Sequence, residues 1–189
     1  MKLEQTADGS YTLYVPELDE HYHSVKGALT ESQHIFIEMG LKHSPVSEPH
    51  ILEIGLGTGL NAFLTLLSAE ETRRKVHYTG IERYPLAEET LKQLDYPRLI
   101  GKQHEEDYYA IHRAPWNTET EVSPWFTLHK IEDDFTRLFN PVEGSRPAVP
   151  LYDIVYFDAF APDKQPEMWE QSLFDTLYLS LIHISEPTR

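Results

Sequence analysis

The feature that most constrains the fold of this chain is a short apolar segment that leads into a glycine-rich turn and then a helical pattern. Residues 51–54 read Ile-Leu-Glu-Ile, glycines alternate over residues 55–59, and large apolar residues then recur at helical spacing over residues 60–67. Further strand candidates alternate with helical patterns along the chain, at residues 76–81, 126–131 and 152–157. Such alternation predicts an α/β fold with a parallel, doubly wound sheet, and ligands bind at the carboxyl ends of its strands.

The glycine-rich turn is the first candidate binding element. Glycine is needed where a ligand lies against bare backbone or where φ is positive. A dinucleotide fingerprint spaces its glycines Gly-x-Gly-x-x-Gly, whereas the third glycine here comes one residue early. Glu53 would repel a pyrophosphate and would suit the cationic end of S-adenosyl-L-methionine; the alternative is a tight turn without a ligand. The predicted cofactor-binding residues of this segment are Glu53, Gly55, Gly57, Gly59, Leu60 and Asn61.

Acidic residues end the next two predicted strands. Glu82 closes the strand at residues 76–81 and could accept hydrogen bonds from both hydroxyls of a ribose, or simply precede a helix. Asp133 or Asp134 ends the following strand and could contact an adenine, and the strand register does not choose between the two.

Asp158 is the predicted catalytic residue. It follows the strand at residues 152–157 and enters a loop that contains Pro162 and Pro166. An amine must be neutral to attack a methyl sulfonium, and a nearby carboxylate can orient the ammonium or take its proton. The alternative is that Asp158 only caps the following turn.

Composition excludes several classes of protein. Hydrophobic residues make up 40% of the 189 residues, which fits a globular domain, and no apolar run is long enough to predict a membrane span. The chain has no cysteine, and its histidines form no metal-binding spacing, so we expect no metal site and a cytoplasmic protein. A net charge of −15 argues against general nucleic-acid binding. The basic cluster at residues 73–75 is expected to be a solvated helix end rather than a phosphate contact.

With these residues in view, the sequence resembles the MnmC/MnmD family of tRNA methyltransferases. The resemblance is carried by three blocks, at residues 18–24 with 27 and 31–36, at residues 55–61, and at residues 158–162 with Lys164, Pro166, Met168 and Trp169. The third block is the most specific. Gln165 is a mild departure, because family members often carry Asn there.

The resemblance implies a class I, Rossmann-like methyltransferase that uses S-adenosyl-L-methionine. It implies transfer of a methyl group to the amine of 5-aminomethyl-2-thiouridine, the wobble base of certain tRNAs, with Asp158 beside that amine. The substrate pocket that it implies is formed by Tyr22, Ser24, Glu31, Phe160 and Pro162. Phosphate contacts are expected from Lys26, Arg83 or Lys164, by nearness to the motifs. The alternatives are methylation of a small amine by the same fold, or an inactive fragment; the sequence leaves open the oligomeric state and whether the parent protein is fused or stands alone.

The end of the chain departs from the pattern of the family. We predict an incomplete methyltransferase domain at residues 1–178, with a strand and lid extension at about residues 1–48 and the last strands of the sheet missing. Residues 179–189 resemble a translated sequencing adapter and are expected to be non-native, the alternative being a divergent natural C-terminus. An unpaired strand at residues 152–157 would then be prone to aggregation.

Overall fold

A computed structural model describes residues 1–139 and 151–181, which form two β-sheets and seven α-helices. The strands are β1 (Lys2–Gln5), β2 (Tyr11–Val15), β3 (Glu20–His21), β4 (His50–Ile54), β5 (Val76–Glu82), β6 (Glu119–Ser123), β7 (Phe126–Glu132) and β8 (Ile154–Phe157). The α-helices are α1 (Ala28–Ser32), α2 (Leu60–Thr72), α3 (Glu88–Leu94), α4 (Tyr96–Ile100), α5 (Glu105–Arg113), α6 (Phe135–Leu138) and α7 (Gln171–Ser180). A π-helix and three 3₁₀ turns complete the regular structure, at Gln33–Glu38, Leu41–His43, Lys102–His104 and Pro166–Trp169.

The larger sheet has the strand order β6-β7-β5-β4-β8. β7, β5, β4 and β8 are parallel, as predicted, and helix lies in the connections that lead from β4 to β5, to β7 and to β8, as parallel pairing requires. β6 is an addition that the sequence analysis missed: it pairs antiparallel with β7 at the edge of the sheet. β5 and β7 are added on one side of β4, and β8 is added on its other side. The order of the strands therefore reverses between β4 and β8, and a crevice opens at their carboxyl ends.

Both faces of this sheet are covered by helices, as a doubly wound fold requires. On one face, α2, α4 and α5 pack a core that includes Phe63, Tyr96 and Tyr108, all of them buried. On the other face, a smaller cluster joins Phe135 of α6 and Leu173 of α7 to the strands. The two cores fix the helices around the sheet and leave its carboxyl edge free for a site.

The smaller sheet is antiparallel, with the order β1-β2-β3, and it comes from the predicted N-terminal extension. β2 is its central strand and pairs with both of the others. The Asp8 carboxylate fastens this sheet to α1, because it accepts hydrogen bonds from the backbone N–H groups of Ser10 and Thr30 at 3.0 and 2.9 Å. The chain that leaves β3 is thereby held against the carboxyl edge of the larger sheet.

The basic cluster at the end of α2 is neither fully solvated nor placed for phosphate. The Arg74 guanidinium donates to the backbone carbonyls of Leu41, Ser44 and Val46, while Arg73 is exposed. Arg74 therefore ties the end of α2 to the segment that precedes β4.

The predicted non-native tail is described only in part. Residues 179 and 180 end α7, and Leu181 forms a single parallel bridge to Tyr152, just before β8. Residues 182–189 lie outside the described residues, so the tail, like the domain boundaries, stays a prediction. Among the described residues, β8 pairs with β4 along one edge. On the other side of β8, the bridge between Tyr152 and Leu181 is the only strand pairing that the described residues form.

Candidate active site

A cavity of about 690 Å³ opens at the carboxyl ends of β4, β5, β7 and β8. This is the crevice at which an open α/β sheet binds its ligands, and the volume is typical of a small-molecule site. Eleven of the fifteen predicted site residues line it: Tyr22, Ser24, Glu31, Gly55, Gly57, Glu82, Asp133, Asp134, Asp158, Phe160 and Pro162.

The glycine turn forms one wall of the cavity. Gly55 and Gly57 have φ values of +86° and +48°, which side chains rarely adopt. A Cβ on Gly55 would lie 2.7 Å from the carbonyl oxygen of Asp158, and one on Gly57 would lie 3.0 Å from the Tyr22 ring. Gly59, with φ +72°, faces the His112 ring in the core and does not line the cavity.

Glu82 lies at the end of β5 and fixes the shape of the turn. Its carboxylate accepts hydrogen bonds from the backbone N–H groups of Gly57 at 2.9 Å and Tyr84 at 2.8 Å. Each carboxylate oxygen has a second lone pair, so the side chain can still accept hydrogen bonds from a ligand in the cavity.

Asp133 and Asp134 differ in their contacts although both line the cavity. One oxygen of Asp134 caps α6 by accepting from the backbone N–H of Thr136 at 2.9 Å, and the other pairs with Arg83 at 2.8 Å. Asp133 accepts a hydrogen bond from the backbone N–H of Asp134 and lies 3.8 Å from the exposed Arg137. Asp134 therefore has a structural role already, and Asp133 is the better placed of the two to meet a ligand.

Asp158 lies at the end of β8, directly beside the start of the glycine turn at Gly55. Its backbone N–H donates to the Ile54 carbonyl at 3.1 Å, and its Oδ2 accepts a hydrogen bond from Asn61 at 2.8 Å. Burial raises the pKa of this carboxyl to about 6, although the Asn61 hydrogen bond opposes the shift, and Glu31 adds to it. The His23 Nδ1 lies 3.9 Å from the same oxygen, and burial lowers the pKa of His23 to about 4, so this imidazole is neutral at physiological pH.

Four predicted cofactor residues lie beneath the cavity or behind its wall: Glu53, Gly59, Leu60 and Asn61. Glu53 is fully buried and accepts a hydrogen bond from the Asn61 amide at 2.9 Å. Burial, and then the Asp158 carboxylate, raise the pKa of Glu53 well above its usual range. Its carboxyl group is therefore better suited to hydrogen bonding than to carrying a charge toward a ligand.

The aromatic wall on the far side comes from two segments that are distant in sequence. Tyr22 and Phe160 meet edge to face, with their ring centroids 5.2 Å apart. The Trp169 indole donates to the Phe160 carbonyl at 2.9 Å and fixes the loop that begins at Asp158. The Glu31 carboxylate accepts a hydrogen bond from the backbone N–H of Ser24 at 3.0 Å, which ties α1 to the segment after β3.

Sequence reasoning gave no site role to several residues that line this cavity, among them His23 and Tyr84. The segment His21-Tyr22-His23 belongs to the first block of the resemblance, which implied a pocket role for Tyr22 but none for His23. No group of three or more potential ligands that could hold a metal occurs within residues 1–139 and 151–181. In those same ranges, no helix has the length and apolar character to cross a membrane.

The cations that were predicted to meet phosphate are mostly engaged with acids. Arg83 lines the cavity but pairs with Asp134. Lys164 lies 4.0 Å from Asp19 and 3.9 Å from Asp163. Lys26 is exposed beside the cavity wall.

Comparison with known proteins finds similarity to methyltransferases. A family model described as an S-adenosyl-L-methionine-dependent methyltransferase matches residues 135–184. The "tRNA 5-methylaminomethyl-2-thiouridine biosynthesis bifunctional protein MnmC" of Magnetococcus marinus is 31% identical over 88% of this chain, and that of Leptospira borgpetersenii is 27% identical over 84%. In both cases the chain spans 25% of the length of the relative.

A solved structure supports the same relationship at the level of the fold. The crystal structure of MNMC2 from Aquifex aeolicus superimposes with a TM-score of 0.70 at 25% identity, over 96% of this chain and 56% of that one. The predicted class of fold is thus confirmed, with β6 and the N-terminal sheet as additions to the predicted parallel core. The matched family names S-adenosyl-L-methionine as the cofactor.

Proposed function

This chain is a relative of the MnmC proteins with the fold of an S-adenosyl-L-methionine-dependent methyltransferase, and from this premise we propose that it methylates the amine of 5-aminomethyl-2-thiouridine in tRNA. The product would be the 5-methylaminomethyl base. The observation that carries the proposal is the position of Asp158, whose partly buried carboxylate faces the cavity at the switch point of the sheet. A tRNA substrate would place this reaction in the cytoplasm.

The residues around the cavity fit the cofactor. Gly55 and Gly57 present bare backbone in a conformation that a side chain would strain, and Glu82 ends β5 where ribose hydroxyls would find an acceptor. Asp133 would accept from the adenine amine, because its side chain is more exposed than that of Asp134, which is held between the cap of α6 and Arg83. Bound S-adenosyl-L-methionine would supply an activated methyl group: a nitrogen–carbon bond forms as the carbon–sulfur bond breaks, and that electron pair stays on sulfur.

Asp158 supplies the chemistry that the amine needs. A primary ammonium has no free electron pair, so it must lose one proton before its nitrogen can form a bond to carbon. The carboxylate of Asp158 would attract the ammonium, orient it and take that proton, which then passes to solvent. Tyr22 and Phe160 would wall the amine in and exclude water, and positioning accounts for most of the remaining rate because the methyl donor is already activated.

Methylation of a small amine is the alternative that one observation favours. The cavity is lined by several acids, including Glu31, Glu82 and Asp158, and the whole chain carries a net charge of −15. Such a site attracts a small cation without help from phosphate contacts.

A methyl-transfer assay distinguishes the two activities. The chain would be given labelled S-adenosyl-L-methionine with tRNA that carries the 5-aminomethyl base, with the same tRNA lacking the aminomethyl group, and with small primary amines. We expect label only in the first tRNA. Asp158→Ala should abolish transfer, whereas Asp163→Ala, an exposed acid of the same loop, serves as the matched control. Label in small amines but not in tRNA would support the alternative.

A separate titration tests whether the chain can hold the cofactor at all. Asp158→Ala should bind S-adenosyl-L-methionine about as well as the parent chain. Gly57→Asp should bind it poorly, because its side chain would collide with Tyr22 and bring a further acid beside Glu82. Absence of binding by the parent chain would identify an inactive fragment.

A further inference from the structure

Asn61 forms hydrogen bonds with two carboxyl groups: that of Asp158, at the floor of the cavity, and that of Glu53, beneath it. It lies in the first turn of α2 with 2% of its surface exposed. Its Nδ2 donates to Asp158 Oδ2 at 2.8 Å and to Glu53 Oε1 at 2.9 Å. One amide therefore connects β4, α2 and the end of β8 across the switch point of the sheet.

The chemistry of the amide determines which of its atoms faces the two carboxyl groups. The NH₂ group of Asn has two hydrogens in one plane, and both are used by carboxyl oxygens. The Asp158 carboxylate can only accept hydrogen bonds, so the nitrogen rather than the oxygen of the amide must face it. Glu53 is fully buried and does not reach the cavity, and its hydrogen-bonded connection to Asp158 runs through Asn61.

Among the described residues, the Asp158 carboxylate accepts its side-chain hydrogen bond from Asn61. The titratable groups around Asp158 are His23 after β3, Glu31 on α1, Glu53 on β4, Tyr78 on β5 and Tyr96 on α4. Glu31 opposes a negative charge on Asp158, burial favours the neutral forms of Glu53 and of the two tyrosines, and the His23 ring is neutral and 3.9 Å away. The orientation and the ionisation of Asp158 thus depend on the Asn61 amide.

We propose that Asn61 is the positioning residue for Asp158, with Glu53 as its anchor, and that it acts on methyl transfer rather than on cofactor binding. The proposal rests on the proposed role of Asp158. Asn61 would hold Oδ2 of Asp158 against the floor, which leaves Oδ1 to meet the substrate amine. It would also keep Asp158 ionised at physiological pH, because its hydrogen bond opposes the effect of burial on the Asp158 pKa.

Asn61→Leu tests the proposal, because it keeps the size of the side chain and removes both donors. We expect kcat to fall by on the order of 10²-fold at pH 6, since both the charge and the orientation of Asp158 are lost. The loss should become smaller as pH rises to 8, because the acidic limb of the pH profile moves to higher pH. The dissociation constant of S-adenosyl-L-methionine should change by less than about threefold, which is too little to account for the expected loss of kcat.

Further variants separate positioning from a general loss of structure. Ser68→Ala removes a buried polar group from the same helix, away from the cavity, and should leave the pH profile unchanged. Glu53→Gln keeps an oxygen that can accept from Asn61, so its kcat should fall less than that of Glu53→Leu. A loss of activity in Asn61→Leu that is equal at every pH, or that follows a weakened affinity for S-adenosyl-L-methionine, would overturn the proposal.

A measurement without turnover keeps this inference separate from the proposed function. Carbon-13 labelling of aspartate carboxyls allows the pKa of Asp158 to be followed by NMR, with Asp158→Asn used to assign its resonance. In Asn61→Leu, which removes both donors without adding a charge, Asp158 should titrate at a higher pH than in the parent chain. An unchanged titration would overturn the role of Asn61 even if tRNA is methylated, and a shifted one would support it even if tRNA is not the substrate.

Discussion

Asp158 combines burial with the need to carry a charge, and this conflict sets the expected pH dependence of the enzyme. Burial raises the pKa of its carboxyl from 3.8 to about 6, and the protonated form cannot accept a proton from the amine. We therefore predict that kcat/KM falls as pH decreases through about 6. Steady-state rates from pH 5 to 8 check this, because kcat/KM reports the ionisation of the free enzyme. An acidic limb near pH 4, or none, would contradict the assigned role.

Gly55 and Gly9 allow backbone strain to be separated from a steric clash. Both have φ near +85°, so an alanine at either position costs about 1–2 kcal/mol of conformational energy. A Cβ on Gly9 meets nothing within 4 Å, whereas one on Gly55 would lie 2.7 Å from the Asp158 carbonyl oxygen. Gly55→Ala should therefore lower the free energy of unfolding more than Gly9→Ala and should also weaken binding of S-adenosyl-L-methionine. Equal losses in chemical denaturation would show that the close approach of β4 and β8 has no effect.

At the scale of elements, Arg74 connects α2 to the segment that leads into β4. Its planar guanidinium donates to three carbonyls, a geometry that a lysine ammonium cannot reproduce. We predict that Arg74→Lys lowers the free energy of unfolding by about 1–3 kcal/mol, whereas the exposed Arg73→Lys changes it by less than about 0.5 kcal/mol. Urea denaturation of both variants checks this. A stability of Arg74→Lys equal to that of Arg73→Lys would mean that solvent replaces these hydrogen bonds at no cost.

The elements also show what the sequence could and could not predict. The parallel strands and α2 were predictable, because their apolar periodicity is strong and glycines mark the turn between them. β6 was missed because its residues, Glu-Thr-Glu-Val-Ser, lie at the sheet edge with little apolar character. An edge strand needs no apolar face to pair, so the alternation of Thr120 and Val122 was the only signal available.

Within the site, the sequence predicted which segments meet, but not which of their side chains line the cavity and which lie beneath it. Glu53 and Asn61 were predicted to bind cofactor because they flank the glycine turn, yet they lie beneath the cavity. Strand alternation indicates that Glu53 points to one face, but not whether that face is open to a ligand. Asp133 and Asp134 could be separated only by their contacts with α6 and Arg83.

At the scale of the whole molecule, the charge distribution limits how tRNA could bind. The chain carries a net charge of −15, and Arg83 and Lys164 beside the cavity are near acids. Lys26 is the cation of the predicted set that forms no ion pair among the described residues, and it adjoins the cavity wall at Val25. It is therefore the candidate for a phosphate contact.

We predict that Lys26→Ala weakens tRNA binding and reduces the slope of log K against log salt concentration by about 1. Lys75→Ala is the matched control, because Lys75 precedes β5 at the opposite edge of the sheet and should leave the slope unchanged. Filter binding over a range of salt concentrations measures both. Equal slopes for Lys26→Ala and the parent chain would place the tRNA on another surface.

The most direct test of the central claim is nucleoside analysis by mass spectrometry after tRNA carrying 5-aminomethyl-2-thiouridine has been incubated with the chain and S-adenosyl-L-methionine. The account predicts that this nucleoside is converted to its 5-methylaminomethyl form by the parent chain and by Asp163→Ala, but not by Asp158→Ala. Cofactor binding by all three chains without any conversion of this nucleoside, or conversion that persists in Asp158→Ala, would contradict the account.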